Sequence, residues 1–344
     1  MATAPAVAVV IVTYKSAKDL PTTLEALLPQ MTADDELVVV DCASDDDPGA
    51  VLERVAPRAR LLALSENLGF AGGANAGVAA TSAPLVFLLN PDARVAPGAL
   101  DALRAAASEQ PTWGAWQALV TMHEGREVNT SGGVTHWLGF GWAGACGEPL
   151  PAVRAPYETS FASGAALIVR REAWTAAGGF DAEYFMYGED LDLALRLRLM
   201  GWGVGVVPTA HVEHDYTFTK GDYKWFHLER NRWWTLLGAY PKPLLALLLP
   251  ALIVFDVALL AVAARGGWAG AKLRAQVAVL RTLPWALRRR GRVQAQRTAS
   301  TAQFARGLTS SLDSPYLGKP PRPLLAMQAS YWRGVRGLLG GTGV

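Results

Sequence analysis

A mostly parallel α/β sheet carrying a helical, basic C-terminal extension is the fold that this 344-residue chain predicts, on three observations. Short apolar runs alternate with helical patterns over roughly the first 100 residues, as strand–helix–strand units do. Four of those runs end on polar residues: Thr13-Tyr14, Asp41, Ser65-Glu66-Asn67 and Asn90-Pro91-Asp92. The final quarter then changes character and becomes apolar and basic.

The elements follow in order. Val7 to Val12 is a β-branched and alanine run suited to a strand buried on both faces. Thr13-Tyr14-Lys15-Ser16 breaks it, and Leu20, Leu24, Leu27 and Leu28 mark a helix. Leu37 to Val40 is a second strand ending at Asp41. Ser44-Asp45-Asp46-Asp47-Pro48 signals a turn and a helix start, with Pro near the first helical position. Arg60 to Leu64 and Leu85 to Leu89 give two more strands. In such a sheet ligands bind beyond the carboxyl ends of the strands, which here are the four polar stretches.

Residues 66–77, Glu-Asn-Leu-Gly-Phe-Ala-Gly-Gly-Ala-Asn-Ala-Gly, have two readings. Small residues opening a helix admit phosphates or a sugar close to the backbone, or they pack the helix tightly on the sheet. The glycine placement argues against a hydride-transfer dinucleotide fold, whose glycines belong between the first strand and first helix. Residues 13–18 hold none, and Asp41 precedes the glycines. Asn90-Pro91-Asp92 ends a very apolar strand: it is either an Asx-Pro turn or, facing a diphosphate, a seat for a hard cation such as Mg²⁺ or Mn²⁺. Residues 111–160 are rich in Trp, Gly and His without a sustained period. They read as irregular core or as an acceptor-facing region.

Phe161 to Arg170 is a loop entering a strand, followed by a short helix at Glu172 to Ala177. The acidic run Gly188-Glu189-Asp190-Leu191-Asp192 opens an amphipathic helix through Leu191, Leu195 and Leu199. The helix dipole favours ionised carboxylates there, so capping is one reading and catalysis the other. Asp192 and Arg196, four apart, fit a structural ion pair. Gly203 to Val207 is a late strand that Pro208 breaks, ahead of His211-Val212-Glu213-His214-Asp215, where one histidine is a candidate metal ligand.

Composition sets the outer bounds. A hydrophobic content of 51% supports a sizeable core. The net charge of +2 conceals a split: residues 241–344 carry 15 Lys and Arg against two acids, Asp256 and Asp313, leaving 17 basic and 28 acidic residues elsewhere. Two parts with different partners are expected, divided as residues 1–240 and 241–344. Cys42 and Cys146 form no metal-ligand pattern and read as reduced thiols of a cytosolic protein. The N-terminal apolar run lacks a preceding basic region and reads as a strand, not a signal peptide.

Taken together, VTY (12–14), VVVDCAS (38–44), ENLGFAGGANAG (66–77), LLNPDA (88–93), SGAALIVRREAW (163–174) and GGFDAEYFMYGEDLDLALRLRLMGW (178–202), with a downstream His, resemble family 2 glycosyltransferases of the rhamnosyltransferase type. The resemblance spans about residues 5–235 and implies the GT-A fold, a Rossmann-like central sheet flanked by helices. It implies inverting transfer of a sugar, best L-rhamnose, from a nucleotide-sugar donor (dTDP-rhamnose, or a UDP- or GDP-sugar) to a glycan or glycolipid acceptor in polysaccharide or cell-wall assembly. Thr13, Tyr14 and Asp41 match positions that hold the nucleoside; Asn67, Gly69, Phe70, Gly72 and Asn75 fall in the segment lining the donor. Asp92 matches the last acid of the metal-binding Asp-x-Asp element, with Asn90 in place of the first. His214 falls where some members place a metal-ligating His, with His211 as fallback. Asp190 matches the catalytic base, with Glu189 as its helper. The implied cofactor is Mg²⁺ or Mn²⁺, held more weakly for want of the first carboxylate. The alternative is a catalytically silent nucleotide-sugar-binding subunit of an assembly complex.

Leu244 to Ala264 is apolar and long enough to span a bilayer, but it contains Pro250 and Asp256. An acid at mid-bilayer costs about 3 kcal/mol, and a single span would export the basic tail. Peripheral association with the cytoplasmic membrane face is expected, in-plane or re-entrant, with Arg288-Arg289-Arg290, Arg292 and Arg297 meeting anionic headgroups. A buried helix pair or a homo-oligomer interface is the other reading. Nucleic-acid binding by the tail ranks below both, given the neighbouring apolar run.

Overall fold

The computed structural model describes residues 4–215, 221–313 and 321–340. They form two compact units, Met1–Gly133 with Ala143–Leu197 and Trp202–Thr217, and Val134–Trp142 with Arg198–Gly201 and Phe218–Val344.

In the first unit the strands are β1 (Val7–Thr13), β2 (Glu36–Asp41), β3 (Arg60–Ala63), β4 (Leu85–Leu89), β5 (Arg94–Val95), β6 (Trp113–Met122), β7 (Glu127–Thr130), β10 (Tyr157–Glu158), β11 (Ala166–Arg170) and β12 (Gly203–Glu213). The short pair β8 (Gly133–Thr135) and β9 (Gly141–Ala143) is separate. Among the described residues the main sheet runs β10-β12-β6-β11-β4-β1-β2-β3, with β5 on β12 and β7 on β6. Its helices are α1 (Leu20–Leu27), α2 (Pro48–Val55), α3 (Gly69–Ala79), α4 (Ala99–Glu109), α5 (Arg171–Ala177) and α6 (Glu189–Leu199).

The parallel half is the expected one. β1 is buried along its whole length and pairs in parallel with β2 and β4, and β2 with β3. The other half is mixed: β11 runs antiparallel between β4 and β6, and β12 is parallel to β6. Asp47 caps α2 by accepting the Ala50 N–H at 3.0 Å, with Pro48 in the first turn. Close packing of α3 on the sheet is real at two glycines. A Cβ on Gly73 would lie 2.6 Å from Val12 and one on Gly77 2.3 Å from Val10.

Three expectations are corrected. The stretch read as aperiodic contains β6, buried on both faces; its buried Gln117 accepts from Ser163 N at 2.8 Å and donates to Thr130 O at 3.1 Å. Pro208 does not end the late strand. β12 continues to Glu213, and an irregularity in its pairing with β6 between Val207 and His211 accommodates the missing N–H. Helix α6 is not amphipathic: Leu191, Leu193, Leu195 and Leu197 are all buried, so its faces all need apolar cover.

The second unit is helical: α7 (Gly221–Ala239), α8 (Lys242–Arg265), α9 (Ala269–Arg281), α10 (Leu283–Ala295), α11 (Thr301–Arg306) and α12 (Arg322–Leu338). Helix α7 packs on α9 and α10, so this unit begins upstream of residue 240. Helix α8 is continuous through Pro250, which rules out a re-entrant hairpin, and largely exposed, which rules out a buried helix pair. By length and composition it is a helix that could cross a membrane. Asp256 does not face outward: it pairs with Arg232 at 2.6 Å and Lys272 at 3.0 Å, beside Glu229. The acid therefore belongs to a buried ionic network, and the mid-bilayer penalty does not apply to it. Arg289 is likewise buried and unavailable to headgroups.

Candidate active site

The ends of the parallel strands gather the predicted donor residues of the first unit. Thr13 and Asp41 are register partners on β1 and β2. Thr13 is fully buried and its Oγ1 has no hydrogen-bond partner among the described residues, whereas Tyr14 is 46% exposed. Tyr14 is thus the accessible member of that pair. Asp41 is buried and accepts from Ser44 N at 3.2 Å. Beside it, burial pushes the Cys42 thiol up to about 11, which makes it a packed thiol and no nucleophile.

The glycine-rich helix start is tied to the loop before α6. Asn67 Oδ1 accepts the Gly69 N–H at 2.8 Å. Gly69 has φ +67°, and a Cβ there would lie 2.3 Å from the Phe185 carbonyl oxygen. That carbonyl accepts the Ala71 N–H at 3.0 Å. Gly72 presses on the Leu68 side chain. Asn75 uses both ends of its amide on Phe180, accepting its N–H at 3.0 Å and donating to its carbonyl at 2.8 Å. Asn75 therefore clamps the Gly179-Phe180 backbone. Phe70 tilts against Phe180 with ring centroids 5.8 Å apart.

Asn90, Asp92 and His214 meet, although 124 residues separate Asn90 from His214. His214 Nε2 lies 3.2 Å from Asp92 Oδ1 and 3.3 Å from the Asn90 amide nitrogen. Two contacts hold the histidine: its N–H donates to Thr121 O at 2.8 Å and its carbonyl accepts from Asn129 Nδ2 at 2.8 Å. Asp92 is about half exposed. His211 instead places Nε2 3.0 Å from Pro208 O. One imidazole nitrogen and one carboxylate oxygen, with an amide beside them, make a donor set that fits a divalent cation, the remaining ligands coming from substrate. Mn²⁺ suits the nitrogen better than Mg²⁺, which prefers oxygen alone. Among the described residues no cluster of three His, Cys, Asp or Glu adds to it.

The three acids of the run sit in three different environments. Asp192 is fully buried, accepts from Tyr184 Oη at 3.0 Å and pairs with Arg196 at 2.8 Å, as expected. Arg196 also donates to the Ala177 and Gly179 carbonyls at 2.6 and 2.8 Å. Glu189 is buried, and its Oε2 has no partner among the described residues. Burial, reinforced by Asp190 and Asp192, holds its carboxyl well above the usual range. Asp190 is partly exposed and accepts from Gly164 N at 3.0 Å and Leu191 N at 2.7 Å. Burial raises it as well, with those two amides opposing. Of the two adjacent acids, Glu189 is the more buried and the more strongly raised, and Asp190 is the more accessible.

Gly164 and Ala165 join the two sides. The Gly164 N–H is donated to Asp190, and the Ala165 carbonyl accepts from Asn90 N at 3.0 Å. A Cβ on Gly164 would lie 3.0 Å from the Phe70 ring. Two consecutive backbone groups thus set the metal-side loop, a donor-segment ring and the candidate base against one another. The sequence gives neither Gly164 nor Ala165 a role of its own: they stand out only as part of the 163–174 motif, and neither has a functional side chain. Asn129 gave no signal at all.

With this geometry, comparison with known proteins is decisive. The model of glycosyl transferase family 2 matches residues 8–175. An N-acetylglucosaminyl-diphospho-decaprenol L-rhamnosyltransferase of Mycobacterium tuberculosis (strain H37Rv) is 31% identical over 239 residues, covering 62% of this chain and 77% of that protein. The chain belongs to glycosyltransferase family 2. Within the family it is rhamnosyltransferase-like. Two solved structures share the fold. GalNAc-T7 with UDP, GalNAc and Mn²⁺ aligns with TM-score 0.57 and 16% identity over 69% of this chain, which spans only 48% of that one. The mannosyltransferase PcManGT of Pyrobaculum calidifontis, with GDP-Man and Mn²⁺, gives TM-score 0.51 and 19% identity over 85% of this family 2 chain and 86% of its own. The expected GT-A-like α/β architecture, a central sheet flanked by helices, is therefore the fold of the first unit.

Proposed function

We propose that this glycosyltransferase moves a sugar, with L-rhamnose the first candidate, from a nucleoside-diphosphate donor to a hydroxyl of a lipid-linked glycan, inverting the anomeric carbon. The Gly164-Ala165 link between Asp190 and Asn90 is the observation that carries it, since a base and a diphosphate site must face one substrate. The M. tuberculosis relative, an N-acetylglucosaminyl-diphospho-decaprenol L-rhamnosyltransferase, supports the choice of sugar and of a lipid-diphosphate acceptor. Tyr14 and Asp41 hold the nucleoside, and the Asn67–Gly72 segment lines the rest of the donor.

Asp190 accepts the proton of the acceptor hydroxyl as its oxygen forms a bond to the anomeric carbon. The bond from that carbon to the diphosphate oxygen breaks, and the nucleoside diphosphate leaves with the electron pair. Burial favours the protonated form of Glu189, which would limit the negative charge beside Asp190. A divalent cation held by Asp92 and His214 would supply charge neutralisation to the diphosphate. NMR of the product's anomeric configuration tests the stereochemistry; retention would refute direct displacement. Donor choice is tested by thermal shift with dTDP-rhamnose, UDP- and GDP-sugars and Mn²⁺ or Mg²⁺. A ligand at 100-fold its Kd stabilises by about 2.7 kcal/mol, and no shift with any donor would refute the reading.

Two further outcomes follow from the site. His214→Ala raises the Mn²⁺ concentration needed for half-maximal activity by at least about tenfold, read by metal titration; an unchanged titration removes His214 from the metal. For Glu189 the sign is fixed by a folded-state pKa raised above the ordinary 4.5. Its stabilising contribution is complete below 4.5 and is lost as pH rises toward the folded-state value. Glu189→Gln therefore gains Tm relative to wild type as pH rises from acid to neutral, and a constant difference across pH would contradict the assignment.

The second unit is proposed to hold the enzyme at the cytoplasmic face of the membrane, through the exposed side of α8.

A further inference from the structure

Helix α8 shows solvent an uninterrupted apolar stripe. Leu249, Ile253, Val254, Val257 and Val262 are each 47–68% exposed, at helical spacing, and the exposed positions between Lys242 and Arg265 include no polar side chain. At the Lys242 end lies an open cavity of about 520 Å³ lined by Lys242, Leu287, Arg290, Gly291, Gln294 and Arg297. Its charge is of one sign: three cations and no acid.

The polar groups there are partly committed, and the commitment is informative. Arg290 Nη1 donates to Leu237 O at 2.6 Å and Tyr240 O at 2.8 Å, and Gln294 Nε2 to Gly238 O at 2.9 Å and Ala239 O at 3.0 Å. These bonds satisfy the carbonyls ending α7. Lys242 and Arg297 are exposed, and neither forms an ion pair among the described residues. Burial and the facing charge of Arg297 hold Arg290 below its ordinary value, as expected of cations gathered without a counter-ion. Leu287, 52% exposed, adds an apolar wall.

We propose that this cavity binds the phosphate headgroup of an anionic membrane lipid while the outward face of α8 lies in the bilayer surface. A phosphate supplies the missing charge, and Lys242 places it where the apolar stripe begins, so headgroup and acyl chain are met by the same helix. The proposal rests on membrane association of the second unit and is independent of the transferase chemistry.

The test is flotation of the full-length protein with vesicles of phosphatidylcholine alone or mixed with phosphatidylglycerol. Wild type floats with the mixed vesicles. K242E/R297E weakens binding by at least about tenfold, whereas R288E/R292E, an equal charge change on exposed residues outside the cavity, weakens it distinctly less. V254D/V257D abolishes binding by breaking the stripe. All four proteins are compared at matched Tm, and none of these side chains is in the first unit. Equal losses from the two charge-reversal pairs would overturn the cavity and leave only diffuse attraction. Absence of wild-type flotation would overturn membrane docking as well. In a parallel arm inorganic diphosphate is added: a thermal shift lost in K242E/R297E, with no flotation by wild type, would assign the cavity to soluble phosphate and overturn the lipid.

Discussion

Asp190→Asn lowers kcat by about 10²–10⁴, the usual contribution of a positioned general base, while donor affinity stays near that of wild type. Only the transition state needs the carboxylate's basicity, so the loss falls on kcat and not on binding. Asparagine is not an innocent replacement. Both Asp190 oxygens accept backbone N–H groups, from Gly164 and Leu191, and an amide can keep only one as an acceptor. Donor binding and Tm must be measured on the same preparation for that reason. A variant that binds donor, retains its Tm and turns over normally would remove Asp190 from the chemistry.

Asp192→Ala is expected to destabilise the protein by about 3–5 kcal/mol, the effect of leaving one partner of a buried ion pair uncompensated. Asp192 has no exposure, and its loss strands Arg196, which is itself 4% exposed, together with the Tyr184 hydroxyl. Arg196 also bonds the Ala177 and Gly179 carbonyls, so its displacement would loosen the loop entering α6. Urea denaturation at neutral pH measures the effect; a loss below about 1 kcal/mol would place the pair with exposed bridges of little energetic consequence. A kcat loss in Asp190→Asn beside a stability loss in Asp192→Ala would separate a structural acid from a catalytic one within one helical turn.

The parallel half of the sheet was legible because its signals are local. Val7 to Thr13 and Leu85 to Leu89 are unbroken apolar runs, and Asp47-Pro48 is a cap that needs no distant partner. What escaped depends on residues far apart in sequence. Gln117 reads as polar until Thr130 and Ser163 satisfy it inside β6. Pro208 reads as a break until a pairing irregularity with β6 accommodates it. Asp256 reads as a charge stranded in an apolar run until Arg232 and Lys272 enclose it. At the site, the choice between His211 and His214 was open from spacing alone, and only the fold sets His214 beside Asp92. The link through Gly164 and Ala165 is made by backbone groups, which no side-chain pattern announces.

The central claim is that this family 2 chain transfers a sugar rather than merely holding its donor. Release of nucleoside diphosphate from dTDP-rhamnose, measured with Mn²⁺ in the presence and absence of a lipid-diphosphate-linked glycan, tests it most directly. Release is expected to depend on acceptor and to be lost in Asp190→Asn. Tight donor binding with no release under either condition would make the protein a silent nucleotide-sugar-binding subunit.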